Sequence, residues 1–248
     1  MIISRRILTP ILGKSDLVLK RAKSLQEIMS NHGAKARVAR IVAGDLAGSI
    51  HLTASYENME KGCNSFNEMS QDPARIALMK EREADPGGHL IGPEVFRTIY
   101  GNISPEHNVI MMREYQLSRD NMSEAVQIFP EIDAILKDED ASFMAVVPLL
   151  ATNMDRLIAC YYFRDMSSMG EQIDRVGMSE EFQKIVLKAS NVGALISSKV
   201  LLNIWQIILS QNLREWKRYY QNLFYSLLNV ILFITKLKNG FFNSLIIL

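Results

Sequence analysis

An alternating pattern of apolar and polar positions runs through residues 49–56, "SIHLTASY". Its even positions carry Ile, Leu, Ala and Tyr, whereas its odd positions carry Ser, His, Thr and Ser. Alternation with a period of two predicts a β-strand with one apolar and one polar face. Because a strand that faces water usually carries charges, and this polar face has none, we expect it to face an enclosed interior.

A second pattern is an internal repeat at a fixed offset along the chain. The first predicted helix has an apolar stripe with helical spacing, formed by Val18, Ala22, Leu25 and Met29. Adding 107 to each number gives a second apolar stripe: Ala125, Phe129, Ile132 and Leu136. The same offset carries Ile50 to Leu157 and Tyr56 to Phe163. Matches across several elements indicate two structurally equivalent units.

Each unit is predicted to have the element order β-α-β-β-α-β. The strands are predicted at 2–12, 36–42, 49–56 and 95–100, and again at 108–117, 142–150, 157–163 and 194–201. Asp72 before Pro73 predicts the start of a separate helical piece, and Pro130 predicts a kink or a late start in its helix. We divide the chain into a first repeat (1–101), a second repeat (108–202) and a C-terminal apolar extension (203–248).

This element order is that of a ferredoxin-like unit, whose sheet is covered by helices on one face only. The order, the unit length near a hundred residues and stretches such as "MREYQLSRDNMSEAVQIFPEI" resemble the dimeric α/β-barrel superfamily. That superfamily includes the antibiotic-biosynthesis-monooxygenase and NIPSNAP types. The resemblance covers about residues 1–202 and implies an α+β fold in which two sheets close into one barrel. It also implies that oxygenase chemistry can proceed without a metal or cofactor.

Closure of such a barrel would turn one face of each inner strand toward a shared interior. In the first repeat that face carries His51, Thr53 and Ser55, and in the second it carries Ile158, Cys160 and Tyr162. A concave apolar site with a few polar groups suits a small molecule. We take His51 and Tyr162 as candidate catalytic residues because both can exchange protons, and the other four as candidate ligand contacts. Packing in a core with satisfied hydrogen bonds is the alternative for each.

Charged residues also lie on the predicted strands: Arg5, Arg6, Arg37, Arg40, Arg113 and Glu114. Buried arginine is rare without a partner. An inward-facing arginine would therefore imply a carboxylate partner or an anionic ligand, whereas an arginine at a strand end would reach water.

The segment 83–94, "EADPGGHLIGPE", has no counterpart in the second repeat. Its glycines and prolines predict a loop that could act as a lid or binding loop. Such a loop would bring His89 to the mouth of the site as a further ligand contact. A plain surface insertion is the alternative.

The composition excludes some classes of partner. The chain has 28 basic and 27 acidic residues, which argues against a nucleic-acid partner. Cys63 and Cys160 do not form a paired motif, so we expect two reduced, mostly buried thiols and a cytoplasmic protein without a secretory signal. No metal-binding, flavin or nicotinamide motif is found, and we expect no cofactor.

The C-terminal extension differs from the rest in composition, and its stretch 219–235 reads "YYQNLFYSLLNVILFIT". It could form a membrane-associated helix, a helix that packs on the barrel or in a homo-oligomer, or the product of a shifted reading frame. The sequence as a whole favours a small-molecule-binding protein whose ligand is partly apolar. The alternatives are a cofactor-independent monooxygenase-like enzyme that acts on an aromatic or quinol-like substrate, and a membrane-tethered accessory protein.

Overall fold

The structure is a computed structural model that describes residues 1–136 and 139–204. The elements of the first half are β1 (Ile2–Pro10), α1 (Ser15–Asn31), β2 (Lys35–Gly44), β3 (Ile50–Tyr56), α2 (Met59–Ser70), α3 (Pro73–Ala84) and β4 (Gly88–Gly101). Those of the second half are β5 (Val109–Gln116), a 3-10 turn (Arg119–Asn121), α4 (Met122–Leu136), β6 (Ala141–Leu150), β7 (Arg156–Phe163), α5 (Met166–Gln172), a π-helical turn (Ile173–Gly177), α6 (Glu180–Val192) and β8 (Ala194–Asn203).

The predictions for the C-terminal extension concern residues that are almost all outside the described part of the chain, since the description ends at residue 204. This applies to the whole of the stretch 219–235. Within residues 1–136 and 139–204, the helices are all too short or too polar to cross a membrane.

The eight strands form one closed antiparallel barrel in the order β1-β3-β2-β8-β5-β7-β6-β4. Each half contributes four neighbouring strands in the ferredoxin-like order, β4-β1-β3-β2 and β8-β5-β7-β6. The halves join through β2 with β8 and through β4 with β6. Closure pairs the edge strands of each half, which would otherwise expose unpaired backbone groups. The predicted α+β fold of two tandem ferredoxin-like units in one barrel is confirmed.

The pairing registers of the two halves agree with the offset found in the sequence. In the first half Thr53 lies opposite Arg5 on one side and Arg37 on the other. The equivalent positions of the second half form the same triplet, with Cys160 between Met112 and Met144. Because β1 and β5 are four antiparallel steps apart, they run in the same direction, so equivalent residues lie at the same depth in the barrel.

Helices cover the outer face of the barrel. The stripe predicted on α1 is buried against β2 and β3. The equivalent stripe on α4 belongs to one core cluster with side chains of α6 and of the second sheet. On β3, Ile50, Leu52 and Ala54 lie on the outer face, which α1 and α2 cover, and they are fully buried. Full burial of a large aliphatic side chain contributes about 1.5–3 kcal/mol, so the outer core holds the helices on the barrel.

Two local predictions about helices have different outcomes. The separate helical piece after Asp72 is confirmed, since α3 begins at Pro73 and the Asp72 carboxylate accepts a hydrogen bond of 2.7 Å from the Ala74 backbone N–H. The late start at Pro130 is wrong, because α4 begins at Met122 and continues through the proline. Proline removes one backbone hydrogen bond, and the buried apolar stripe extends on both sides of it.

The loop predicted at 83–94 is wrong from residue 88 onward, because β4 begins at Gly88. There β4 pairs with the far end of β1, up to Pro10 opposite Gly88. A Cβ atom on Gly88 would lie 2.2 Å from the Thr9 carbonyl oxygen, and one on Gly92 would lie 2.6 Å from the Arg5 carbonyl oxygen. The glycines therefore permit close approach of two strands, a role that sequence alone does not distinguish from a turn.

A network of buried charges crosses the barrel interior and joins the two halves. Arg5 on β1 donates to Glu94 on β4 (Nε to Oε2, 3.2 Å) and to Glu114 on β5 (Nη1 to Oε1, 2.9 Å). Arg156 on β7 donates to both of these carboxylates as well. Lys199 on β8 contacts Glu114 (Nζ to Oε1, 3.3 Å). All five residues are less than one tenth exposed, so a single connected set of ion pairs links five strands.

The network is balanced in charge and shielded by an aromatic ring. Lys199 has a second carboxylate partner in Asp45 at the edge of the barrel (3.2 Å). Three cations therefore meet three carboxylates. The guanidinium carbons of Arg5 and Arg156 lie 4.7 Å and 5.4 Å from the centre of the Phe96 ring, distances at which cation–π attraction adds to the ion pairs.

We predict that Glu114→Gln lowers the free energy of unfolding by about 3–5 kcal/mol at pH 7, because it leaves buried cations with one carboxylate fewer. Urea unfolding monitored by circular dichroism measures this. The matched control is Glu131→Gln, which breaks the exposed Glu131–Lys188 pair and should cost less than about 1 kcal/mol.

The difference in unfolding free energy between the wild type and Glu114→Gln should also depend on pH. Burial alone would raise the pKa of Glu114, but the charges of Arg5 and Lys199 outweigh it and hold the pKa below its ordinary 4.5. The contribution of Glu114 is thus present above pH 4.5 and is lost as the pH falls through the lower folded pKa. If the difference in unfolding free energy between the wild type and Glu114→Gln widened on acidification, a stabilising role for this carboxylate would be contradicted.

Candidate functional site

The barrel interior contains a cavity of about 370 Å³. It lies between the ion network and the end of the barrel crossed by residues 102–108, and this end is called the mouth. Side chains of β7 mark its depth: Tyr162 lies nearest the mouth, followed by Cys160 and Ile158. Arg156, the next inward-facing residue on β7, belongs to the network below. The network is therefore the floor of the cavity, and Arg5 is the member of the network that lines the cavity.

Six of the seven candidate site residues line this cavity: His51, Thr53, Ser55, Ile158, Cys160 and Tyr162. His89 does not. It is exposed, lies on β4 opposite Thr9, and borders a separate surface groove between α1 and α3. The expectation that His89 reaches the mouth depended on a loop at 83–94, and the strand that forms there instead carries it away. The catalytic and ligand-binding roles of the other six remain predictions.

Most of the remaining lining is apolar. The mouth is partly covered by the linker between the two halves, residues 102–108. The apolar lining includes Ile3, Phe96, Ile110, Met112, Met144 and Leu201. Asn102, Ile103 and Pro105 of the linker contribute at the mouth. Sequence reasoning missed the linker because only the closed topology carries it across the end of the barrel.

His51 lies deep in the cavity wall and is uncharged at neutral pH. Burial, together with the positive charges of Arg5 and Lys199, lowers the pKa of its imidazole from 6.5 to about 3. Its Nε2 atom is buried and has no hydrogen-bond partner among the described residues. An imidazole in this state can donate or accept a hydrogen bond, but it is a weak base.

Cys160 and Tyr162 are also held in their uncharged forms. Burial raises the pKa of the Cys160 thiol from 9.0 to about 12, which removes the thiolate that nucleophilic chemistry needs. Burial likewise raises the pKa of the Tyr162 hydroxyl, whose O–H points to the Met144 sulfur at 3.8 Å. Cys63, in contrast, is exposed, so the expectation that both thiols are mostly buried is wrong for it.

Arg37 and Lys35 introduce positive charge near the mouth. The Nη1 and Nη2 groups of Arg37 both donate to the Ser104 carbonyl oxygen of the linker at 3.3 Å. Lys35 is exposed, and its carbonyl oxygen accepts a hydrogen bond of 3.2 Å from the Ser55 hydroxyl. The arginine thus contacts the linker at the opening through two long hydrogen bonds.

Three residues of the floor were not singled out from the sequence: Glu94, Arg156 and Lys199. Arg156 has the same parity as Ile158, Cys160 and Tyr162, so the alternation used for the cavity could have identified it. Glu94 lies within the segment predicted to be a loop, to which the alternation of a strand does not apply. In residues 1–136 and 139–204, no group of three or more His, Cys, Asp or Glu side chains is arranged to hold a metal ion.

We predict that His51→Leu changes how stability depends on pH. Between pH 7.5 and 5.5 the unfolded chain binds a proton at residue 51 that the folded protein does not accept, so the wild type should lose about 1.4 kcal/mol that the variant keeps. Urea unfolding at the two pH values measures this difference. Thr53→Val, a neighbour in the same cavity wall without a titrating group, should behave like the wild type. Equal losses in His51→Leu and wild type would mean that His51 becomes charged in the folded protein.

Comparison with known proteins places the fold but not the activity. No family model matches the chain, and no curated protein matches it in sequence. Among solved structures, an anthrone oxidase-like protein has a TM-score of 0.57 at 9% identity, covering 82% of this chain and 90% of its own. Proposed monooxygenases from Lactobacillus acidophilus and Fusobacterium nucleatum have TM-scores of 0.56 and 0.55 at 8% and 10% identity. Both cover 82% of this chain, and 93% and 94% of their own. The chain therefore shares the α/β-barrel fold of these structures, with both ferredoxin-like halves in one polypeptide.

Proposed function

We propose that the protein binds a small, partly apolar molecule inside its barrel. The observation that supports this is the cavity itself, which opens at the end of the barrel crossed by the linker. Its volume of about 370 Å³ is within the range of roughly 300–1,000 Å³ typical of small-molecule sites. Apolar side chains form most of its wall, while Thr53, Ser55 and His51 supply hydrogen-bonding groups on one side.

The electrostatic state of the lining favours binding over proton transfer. His51, Cys160 and Tyr162 are each kept neutral near pH 7 by burial. Groups whose pKa values lie far from the working pH make poor general acids and bases. They can still orient a ligand through hydrogen bonds, which makes the interior suited to recognition.

We predict that 2-naphthol binds the full-length protein and that Ile110→Trp, which places an indole in the cavity, abolishes binding. Titration followed by amide chemical shifts measures this, and the shifts should be largest around Ile110, Met144 and Ile158. Leu187→Trp on α6 is the matched control, since Leu187 is 66% exposed on the outer surface. Binding that persists in Ile110→Trp, with shifts confined to the outer face, would contradict an interior site.

A second candidate function is cofactor-independent oxidation of an aromatic or quinol-like molecule. The observation that favours it is the buried imidazole of His51, whose Nε2 has no partner among the described residues. The descriptions of three proteins with this fold, one as anthrone oxidase-like and two as proposed monooxygenases, are consistent with it.

If this second function holds, the protein should accelerate oxygen consumption in the presence of a hydroquinone, and His51→Leu should slow it by at least about tenfold. An oxygen electrode measures the rate, and Leu187→Trp serves as the control. No acceleration above the uncatalysed rate with anthrone, hydroquinone or naphthohydroquinone would rule out this chemistry and leave binding as the function.

A further inference from the structure

The charged groups that border the cavity are all cationic. They are Arg5, Lys35 and Arg37, and no carboxylate is among the described residues that line it. The two deepest carboxylates, Glu94 and Glu114, point into the network below and are occupied by Arg5 and Arg156. A ligand inside the cavity therefore meets positive charge without a compensating negative wall.

Arg5 and Arg37 differ in how far their charge is neutralised. Arg5 holds two carboxylates directly, so its charge is already matched within the protein. Among the residues that the structure describes, no carboxylate lies within ion-pair distance of Arg37, and the one hydrogen-bond acceptor of its guanidinium is the neutral Ser104 carbonyl oxygen. Both of those hydrogen bonds are 3.3 Å long, beyond the usual range of roughly 2.7–3.2 Å for N–H to oxygen.

Arg37 is costly to keep charged in this position. Burial lowers the pKa of its guanidinium, while the nearby Tyr162 and Glu106 act in the opposite direction. Glu106 is directed elsewhere: its side chain accepts a hydrogen bond from Ser104 and is 67% exposed. A half-buried guanidinium with weak neutral acceptors gains most from an anionic group, since charge-assisted pairs are about twice as strong as neutral ones.

We infer that the ligand of this cavity carries a single acidic group, such as a carboxylate, that pairs with Arg37 at the mouth while its apolar body fills the interior. This inference depends on the proposed binding function and specifies the class of ligand. Lys35, two residues away on the same strand face, adds a second positive charge on the approach to the opening. The apolar body of the ligand would contact Ile110, Met112 and Met144. These side chains are an unfavourable environment for a charged group.

The test compares ligands that differ only in the head group. Two series are titrated by calorimetry into full-length protein: 2-naphthoate, 2-naphthol and 2-naphthylmethylamine, and octanoate, octanol and octylamine. In each series the acid should bind about 10- to 100-fold more tightly than the alcohol, and the amine should bind most weakly. This comparison uses the wild type alone, so it does not depend on whether a variant folds.

The matched variants are Arg37→Gln and Arg40→Gln. Both remove one positive charge from β2, but Arg40 has the opposite parity and does not line the cavity. Arg37→Gln should weaken the acid by about 10- to 100-fold and the alcohol by less than threefold, whereas Arg40→Gln should change neither.

The outcomes separate the two levels of the proposal. If the alcohol binds as tightly as the acid, or if Arg37→Gln leaves the preference for the acid intact, the inference about the ligand is overturned and the binding function survives. If no member of either series binds, the proposed function itself is overturned, and the inference fails with it.

Discussion

The buried network of Arg5, Glu94, Glu114, Arg156 and Lys199 is the interaction on which the interior depends. Removing charges from water is expensive, and the expense is offset only where every charge has partners in good geometry. Here each of the five charges has at least one partner in its own half and another in the opposite half. Arg5 and Glu94 come from the first repeat, whereas Glu114, Arg156 and Lys199 come from the second. Closure of the barrel therefore completes the network with its cross-half ion pairs, and these pairs favour that closure over other packings of the two sheets.

The same network divides the interior into two electrostatic regions. Below, cations and carboxylates alternate and cancel, and their positive members help to keep His51 neutral. Above, the wall is mostly apolar, and its polar members include hydroxyl groups, the neutral imidazole of His51, and Arg37, which has no carboxylate within ion-pair distance among the described residues. A barrel filled throughout by leucine and isoleucine would be solid, and one filled throughout by charges would be unstable. The floor of ion pairs permits a cavity next to it, because hydrogen bonds within the floor and its contact with the Phe96 ring fix its geometry.

Local periodicity in the sequence predicts much of this structure. The alternation in β3 identified the faces of His51, Thr53 and Ser55, and the repeat offset transferred the same assignment to β7. Together these gave the fold and six residues around one cavity. What periodicity could not supply depends on contacts between distant segments. The glycines that permit β4 to pair closely with β1 also predict a loop in the sequence, so this pairing is not predicted. The position of the linker follows only from closure of the barrel. The charge balance also required knowing which inward-facing residues meet across the barrel, since an isolated arginine in a strand is equally compatible with burial and with water.

Because the two halves are fused and differ in sequence, the barrel lacks the two-fold symmetry that two identical subunits would have. A barrel of identical halves would present every interior group twice, related by half a turn about the barrel axis, and an asymmetric guest could lie in it in two equivalent ways. In this chain the position equivalent to Arg37 is Met144, and that equivalent to Lys35 is Ser142. Positive charge is therefore confined to one side of the opening. If a guest molecule binds as proposed, the single polypeptide can therefore define its orientation as well as its position.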